Sequence, residues 1–172
     1  MTRRSLFSFL AGVGLAAKSV EAATQGPATP GTAATAPSAP PIVPLRLPDA
    51  QWRQRLSPQQ YAVLRQEATE RAGASPLNHE KRKGRYLCAG CELPLFESRH
   101  KFDSGTGWPS FHTAIPGALG TKTDFKLLLP RTEYHCARCE GHQGHVFDDG
   151  PPPTGKRYCN NGVALTFVPE AA

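Results

Sequence analysis

Apolar residues fall at two spacings along this chain. From Ser57 onward they recur at roughly helical intervals, at Tyr61, Leu64 and Ala68. Ser57 has the chemistry of an N-cap, Pro58 suits the first helical position, and Gln60 completes a capping box. A packing helix is therefore predicted over 57–69, closed by Gly73 and Pro76. Beyond Gly84 the period shortens. Segments 85–87, 125–129, 133–135, 145–147 and 163–167 read as short strands separated by Gly, Pro and Asp clusters. The crossover helices of an α/β fold are missing between them. The pattern predicts a largely antiparallel β domain with small helices near its N-terminus.

The first 44 residues follow neither pattern. Arg3 and Arg4 precede a modestly apolar stretch, Lys18 follows it, and Val20-Glu21-Ala22 offers small residues where signal peptidase reads. Residues 1–23 are read as a twin-arginine (Tat-type) signal peptide, which implies export, to the periplasm or beyond, as folded cargo. The apolar run from Leu6 to Ala17 is short for a membrane span. Residues 24–44, rich in Ala and Thr and carrying six prolines, cannot bury enough apolar surface to offset ordering. They are read as a disordered linker, and residues 45–172 as one domain of ordinary size.

Charge narrows the partners. The chain carries +6, and about +4 once residues 1–22 are removed, dispersed except for Lys81-Arg82-Lys83. A nucleic-acid footprint needs a broader basic face, so nucleic acid is not an expected partner, and a monomer is expected.

Five cysteines carry the candidate chemistry. Cys88-Ala89-Gly90-Cys91 and Cys136-Ala137-Arg138-Cys139 are two CxxC pairs with 44 residues between them. Four such thiolates suit one tetrahedral Zn²⁺, coordinatively closed and hence a staple. An exported chain also permits two disulfides. A thioredoxin-type CxxC lacks its βαβ context here. Cys159 is left over, and an unpaired thiol in an exported protein needs an explanation.

The flanking residues supply one. Gly141-His142-Gln143-Gly144-His145-Val146-Phe147-Asp148-Asp149-Gly150, Arg157-Tyr158-Cys159-Asn160-Asn161 and Ser104-Gly105-Thr106-Gly107-Trp108-Pro109-Ser110-Phe111 resemble, in the same order, the B-type methionine sulfoxide reductases, over about 56–167. The resemblance implies two antiparallel sheets in a barrel-like sandwich (a β-tent), with both CxxC turns at strand ends holding one structural zinc. It also implies reduction of methionine (R)-sulfoxide, in peptides or proteins, as in the repair of oxidised proteins. Cys159 would be the nucleophile and would pass through a sulfenic acid.

That chemistry needs a thiol activated below its free value, a proton donor and an apolar cradle for the methyl group. His142 and His145 are the expected proton carriers, His145 the stronger candidate as acid. Asn161 can hydrogen-bond a water or the sulfoxide oxygen. Trp108 and Phe147 are expected to wall the substrate methyl, and Arg157 to favour the thiolate. Two positions depart from the family pattern. Thr106 stands where a resolving cysteine is frequent, so an external thiol, a thioredoxin-like protein or a small thiol, is expected to complete the cycle. Gly162 stands where serine is usual, which puts hydrogen bonding by Asn161 in question. The competing readings are a non-enzymatic Cys₄ zinc module and a β-tent binding protein with an unreactive Cys159.

Overall fold

The computed structural model describes residues 41–127 and 129–171. The predicted signal peptide and the linker up to residue 40 lie outside the described residues. Where the described chain begins, Ile42, Leu45 and Leu47 pack against the core, and Leu45 N–H donates to Arg138 O at 2.7 Å.

Helix α1 (Asp49–Arg55) was not legible in the apolar pattern, because Trp52 is its sole buried residue. Helix α2 (Pro58–Gln66) forms where the capping box places it. Ser57 Oγ accepts from Gln60 N–H at 3.2 Å, and Gln60 Oε1 accepts from Ser57 N–H at 3.1 Å. It stops three residues before the expected end, at Glu67, whose backbone turns left-handed with φ 55°. Its inner face buries Tyr61, Val63 and Leu64.

Among the described residues nine strands follow, with single 3₁₀ turns before them at Pro76–His79 and between them at Ser98–His100 and Gly162–Ala164. They are β1 (Gly84–Cys88), β2 (Pro94–Glu97), β3 (Lys101–Phe102), β4 (Ser110–Phe111), β5 (Leu119–Asp124), β6 (Arg131–Cys136), β7 (His142–Phe147), β8 (Arg157–Asn160) and β9 (Leu165–Pro169). A three-stranded sheet has the order β2-β1-β9, and a six-stranded sheet the order β3-β4-β8-β7-β6-β5. All pairings are antiparallel. The larger sheet keeps two free edges, so it does not close into a barrel, and the arrangement is a sandwich.

One expected strand is misplaced. Of segment 125–129, Phe125, Lys126, Leu127 and Leu129 are not extended pairing backbone but belong to the connection between β5 and β6, with Phe125 and Leu129 more than three-quarters exposed; Leu128 lies outside the described residues. The strand lies just before it, in the polar sequence Leu119–Asp124, which a sheet edge tolerates because one of its faces meets water.

Aromatic rings from both sheets fill the space between them. Phe96 of β2 stacks on Phe111 of β4 with centroids 4.2 Å apart, and Tyr86 of β1 meets Phe111 edge-on at 4.8 Å. Tyr134 of β6 closes the cluster against Phe96 at 6.2 Å. All four are wholly buried. Removing one such ring costs about 3–5 kcal/mol, enough to make this cluster the main fixing point between the sheets.

Candidate functional site

Strand β1 ends at Cys88 and β6 at Cys136, and each turns at once through its CxxC loop. The loops are built alike. Glu92 N–H donates to Cys88 O at 2.8 Å, and Glu140 N–H to Cys136 O at 2.9 Å. These two glutamates, one after each pair, take left-handed φ values of 63° and 58°. The result brings four buried Sγ atoms within 4.8 Å of one another, with Cys88–Cys139 at 3.6 Å and Cys91–Cys136 at 3.4 Å. A disulfide needs about 2.05 Å between sulfurs, whereas four thiolates at about 2.3 Å around one ion stand near 3.8 Å apart. The spacing and the soft donor set fit one thiophilic metal ion. Three donors offset the negative charge of such a cluster. Gln143 Nε2 donates to Cys88 Sγ at 3.3 Å, and the Arg65 and Arg138 guanidinium groups bind the carbonyls of Cys139 and Cys91.

The second site is a rank of side chains across the larger sheet. Register sets Ser110 opposite Cys159, Cys159 opposite His145, His145 opposite Glu133, and Glu133 opposite Lys122. Residues directly opposite in antiparallel strands share a face. The nucleophile candidate and its imidazole are thus cross-strand neighbours. His142 would fall on the other face of a regular strand, three positions from His145. A bulge prevents this: Tyr134 pairs with Gly144 but His135 with His142, so β7 holds an extra residue. Gln143 turns into the core, and the two imidazoles stand 5.6 Å apart between centroids. Gly144 permits the close approach, since a Cβ there would lie 1.9 Å from Cys159 O.

Carboxylates that no sequence pattern singled out hold the imidazoles. His145 Nε2 bonds Asp124 Oδ2 at 2.7 Å, and Arg131 reaches the same oxygen at 2.6 Å. The Lys126 N–H, His145 and Arg131 together hold the Asp124 carboxyl well below the usual range, so it stays ionised. Burial pushes His145 below its ordinary value against the pull of Asp124. The ring is therefore neutral near pH 7, with its proton on Nε2 and Nδ1 free to accept. Glu133, almost wholly buried, has Oε1 3.0 Å from His142 Nδ1 without the alignment of a hydrogen bond, and Oε2 3.3 Å from Lys122 Nζ.

Arg157 shares the face of Cys159 two residues along β8. It stacks over Phe147 at 4.3 Å and pairs with Asp149 through two bonds of 2.8 and 2.7 Å. Part of its charge is thereby spent. Burial pushes the Cys159 thiol above its ordinary value, and the Thr106 hydroxyl and the Arg157 guanidinium lower it only partly. The resting site thus differs from the expectation of a thiol already activated. The Thr106 hydroxyl lies beside the thiol and joins a chain of hydroxyls, with Ser104 Oγ 2.8 Å from both Thr106 Oγ1 and Ser110 Oγ.

Trp108 and Asn161 meet through a residue the sequence did not reveal. Glu70, buried, accepts Trp108 Nε1–H on its carbonyl at 2.8 Å and donates its N–H to Asn161 Oδ1 at 2.9 Å. Its carboxylate accepts Gly162 N–H at 2.7 Å. The Asn161 amide donates to Gln143 O at 3.0 Å, so its side chain is committed to backbone on both ends. Gly162 is explained by packing. A Cβ there would sit 1.8 Å from Ser75 Oγ, so Ser75 fills the space a side chain would need. Pro109 O accepts Asn160 N–H at 2.9 Å, tying the segment that carries Trp108 to β8 beside Cys159.

Comparison with known proteins points to one family. The family model described as SelR domain matches residues 56–169. The peptide methionine sulfoxide reductase MsrB of Thiobacillus denitrificans is 53% identical over 123 residues, 71% of this chain and 93% of that protein. That of Agrobacterium fabrum is 51% identical over 122 residues, 70% and 90% respectively. The chloroplastic peptide methionine sulfoxide reductase B1 of Arabidopsis thaliana is 51% identical over 120 residues, covering 69% of this chain and 59% of that protein. A solved structure, the Mis18 'Yippee-like' domain, is similar at 16% identity and a TM-score of 0.42 over 53% of this chain and all of that chain, too distant to bear on the site. With two separate cysteine sites, a Cys159–His145 rank and a family match over two-thirds of its length, the chain belongs to the B-type methionine sulfoxide reductases.

Proposed function

We propose that this peptide methionine sulfoxide reductase acts on the R sulfoxide, with Cys159 as nucleophile, His145 as proton carrier and a structural zinc on Cys88, Cys91, Cys136 and Cys139. One observation carries the reading: Cys159, the cysteine outside the four-sulfur cluster, stands directly opposite His145, whose far nitrogen is held by an ionised Asp124. On this reading Cys159, His145 and Asp124 serve as nucleophile, base and orienting carboxylate.

The first half-reaction balances without an outside proton or electron. The thiol proton passes to His145 Nδ1, and Asp124 stabilises the imidazolium. Sγ attacks the sulfoxide sulfur, the S–O bond breaks, and oxygen ends on Sγ with the proton returned to it. Cys159 becomes a sulfenic acid and methionine leaves. Trp108 and Phe147 wall the methyl group, and His142 supports the second imidazole position. Asn161 acts through Glu70 and Gln143 by fixing the backbone beneath the site. The zinc supplies no chemistry to the reaction; its four thiolates fasten β1 to β6.

In the second half, an external thiol attacks the sulfenic sulfur and water leaves; a second thiol then releases Cys159 and departs as disulfide. Thr106 cannot do this. The reductant is a thioredoxin-like protein or a small thiol. The enzyme works as a monomer in the periplasm, delivered by the twin-arginine leader at residues 1–23.

The test is turnover of the separated R and S sulfoxides of blocked methionine with a chemical dithiol, by the native chain and by Cys159→Ser. Turnover of R alone, lost in the variant, is expected. Equal use of both isomers, or activity in Cys159→Ser, overturns the reading. Mass spectrometry after one turnover without thiol should trap a sulfenic acid on Cys159 and no internal disulfide.

A further inference from the structure

Gln143 is wholly buried, within the strand that carries both imidazoles. A buried amide is informative, because an apolar side chain of its size would fill the same space without needing partners. The bulge explains why the strand needs more than packing at this point. Tyr134 pairs with Gly144 and His135 with His142, so Gln143 is the extra residue and has no register partner on β6. It sits where the ladder is weakest. A slip of one residue there would return His142 to the face opposite His145.

The Gln143 amide supplies the missing hold. Nε2 donates to Cys88 Sγ at 3.3 Å, reaching from β7 to the end of β1. Oε1 accepts from Asn160 Nδ2 at 3.5 Å, on the residue that follows Cys159. Asn160 is itself wholly buried, and its side chain accepts the Tyr134 hydroxyl at 2.7 Å and donates to Asn161 O at 2.8 Å. The Gln143 carbonyl accepts both Asn161 N–H at 2.8 Å and Asn161 Nδ2 at 3.0 Å. One residue thereby touches the four-sulfur cluster at one end and the strand of Cys159 at the other. A sulfur bound to an ion keeps its charge and its direction, and a charged acceptor makes the stronger hydrogen bond. The filled cluster is thus a firm anchor for the amide.

We infer that Gln143 is a positioning residue: it locks the β7 bulge by anchoring it to the metal cluster, and so holds His142 and His145 on one face, in register with Cys159. The inference rests on the reductase reading of the rank and on the metal reading of the cluster. It adds a role for the cluster beyond fastening β1 to β6, since an ion held on Cys88 also steadies the proton carriers. The two cysteine sets keep separate ligands; what joins them is a buried amide.

The experiment removes the donor and keeps the volume. Gln143→Met does this with an unbranched side chain of similar size. Gln143→Asn keeps a buried amide but falls a methylene short of Cys88, and it serves with the same expectations if the first variant does not fold. Three readouts are taken: kcat and KM on the R sulfoxide of blocked methionine with a chemical dithiol, metal affinity by chelator competition, and the thiolate-to-metal charge-transfer band of the cobalt-loaded protein. Losing the outer partner of a metal ligand typically costs about 10–100-fold in affinity or activity. Turnover should fall by that range with KM little changed, metal affinity should fall with it, and the cobalt band should shift as Cys88 loses its hydrogen bond. A native kcat with a shifted band overturns the inference, since the amide would then serve the metal alone. A lowered kcat with a native band also overturns it, since Gln143 would then act by packing. In the native chain loaded with cadmium-113, the Gln143 side-chain amide proton should show scalar coupling to the metal through Cys88 Sγ; no coupling refutes the anchor directly. Failure of the native chain on blocked methionine sinks the reductase reading, and absence of bound metal in it sinks the metal reading, each a separate result.

Discussion

Cysteine stands in two opposite settings in this molecule. Cys88, Cys91, Cys136 and Cys139 are buried against each other, at the CxxC turns, with their four sulfurs within 4.8 Å of one another. Cys159 is only partly buried, mid-strand, and surrounded by a hydroxyl, an imidazole in register and a guanidinium. The difference teaches that the role of a thiol follows from what its backbone element brings opposite to it. A strand end with a tight turn gathers thiols of its own kind and closes on an ion. A strand middle offers a cross-strand neighbour on either side, so the thiol meets groups that can move a proton and a face open to substrate.

The sharpest way to break that comparison is to remove one member of each set. Cys159→Ser should reduce turnover below a few per cent while metal content and thermal unfolding stay native, measured by metal analysis and calorimetry beside the assay. Loss of metal in this variant would show that the two sites are not separate.

Cys136→Ser should do the converse. One ligand lost from a structural metal site should release the ion and cost several kcal/mol, because such binding energy is folding energy. Equilibrium unfolding in urea with and without chelator measures it. Two disulfides and no metal in the native protein, by mass, would replace the staple with an oxidised one.

His145→Ala tests whether the register neighbour matters. General acid–base assistance contributes about 10²–10⁴-fold, so kcat should fall by that range with KM little changed. A loss of only a few fold at neutral pH would pass the role to His142.

The smallest effect concerns the carboxylate at the end of α2. Hydrogen bonds from Lys122 and Lys126 hold the Glu67 carboxyl at about 2 against an ordinary 4.5. A depressed carboxylate stabilises the fold above its unfolded value and loses that contribution as pH falls through the folded one. The stability gap between native protein and Glu67→Gln should therefore be full above about pH 5 and vanish towards pH 2, read from urea midpoints. Added salt should narrow it, since the pair is partly exposed. A gap independent of pH would mean that Glu67 acts through shape alone.

Much of this was legible in the chain because local chemistry decides it. The Ser57–Gln60 capping box is a four-residue device, and the CxxC turns need only their own backbone. The misreading of 125–129 has a physical cause. An apolar run normally signals burial, whereas Phe125, Leu127 and Leu129 are displayed, and the adjoining edge strand is polar because one face meets water. Glu70, Asp124 and Glu133 escaped notice for another reason. Their partners stand on other elements, 91 positions away in the case of Glu70 and Asn161 and 21 in that of Asp124 and His145, and no spacing rule links them. The pairing of His142 with His145 depends on a bulge that strand periodicity denies. Thr106 was legible as a substitution, but its place in a hydroxyl chain with Ser104 and Ser110 was not.

The pairing of β1 with β9 has a consequence for the order in which the molecule assembles. β1 is the middle strand of the small sheet, and Arg85 finds Val168 only when nearly the whole domain has been synthesised. Glu70 must likewise wait for Asn161 and Gly162 before it can fix Trp108. Contacts of such sequence separation are formed slowly, because loop closure precedes any gain from them. The helices and the β5–β6–β7 meander can form early, while the ground beneath Cys159 is laid last. The nucleophile therefore becomes competent only at the end of folding, and a nascent chain carries an idle thiol.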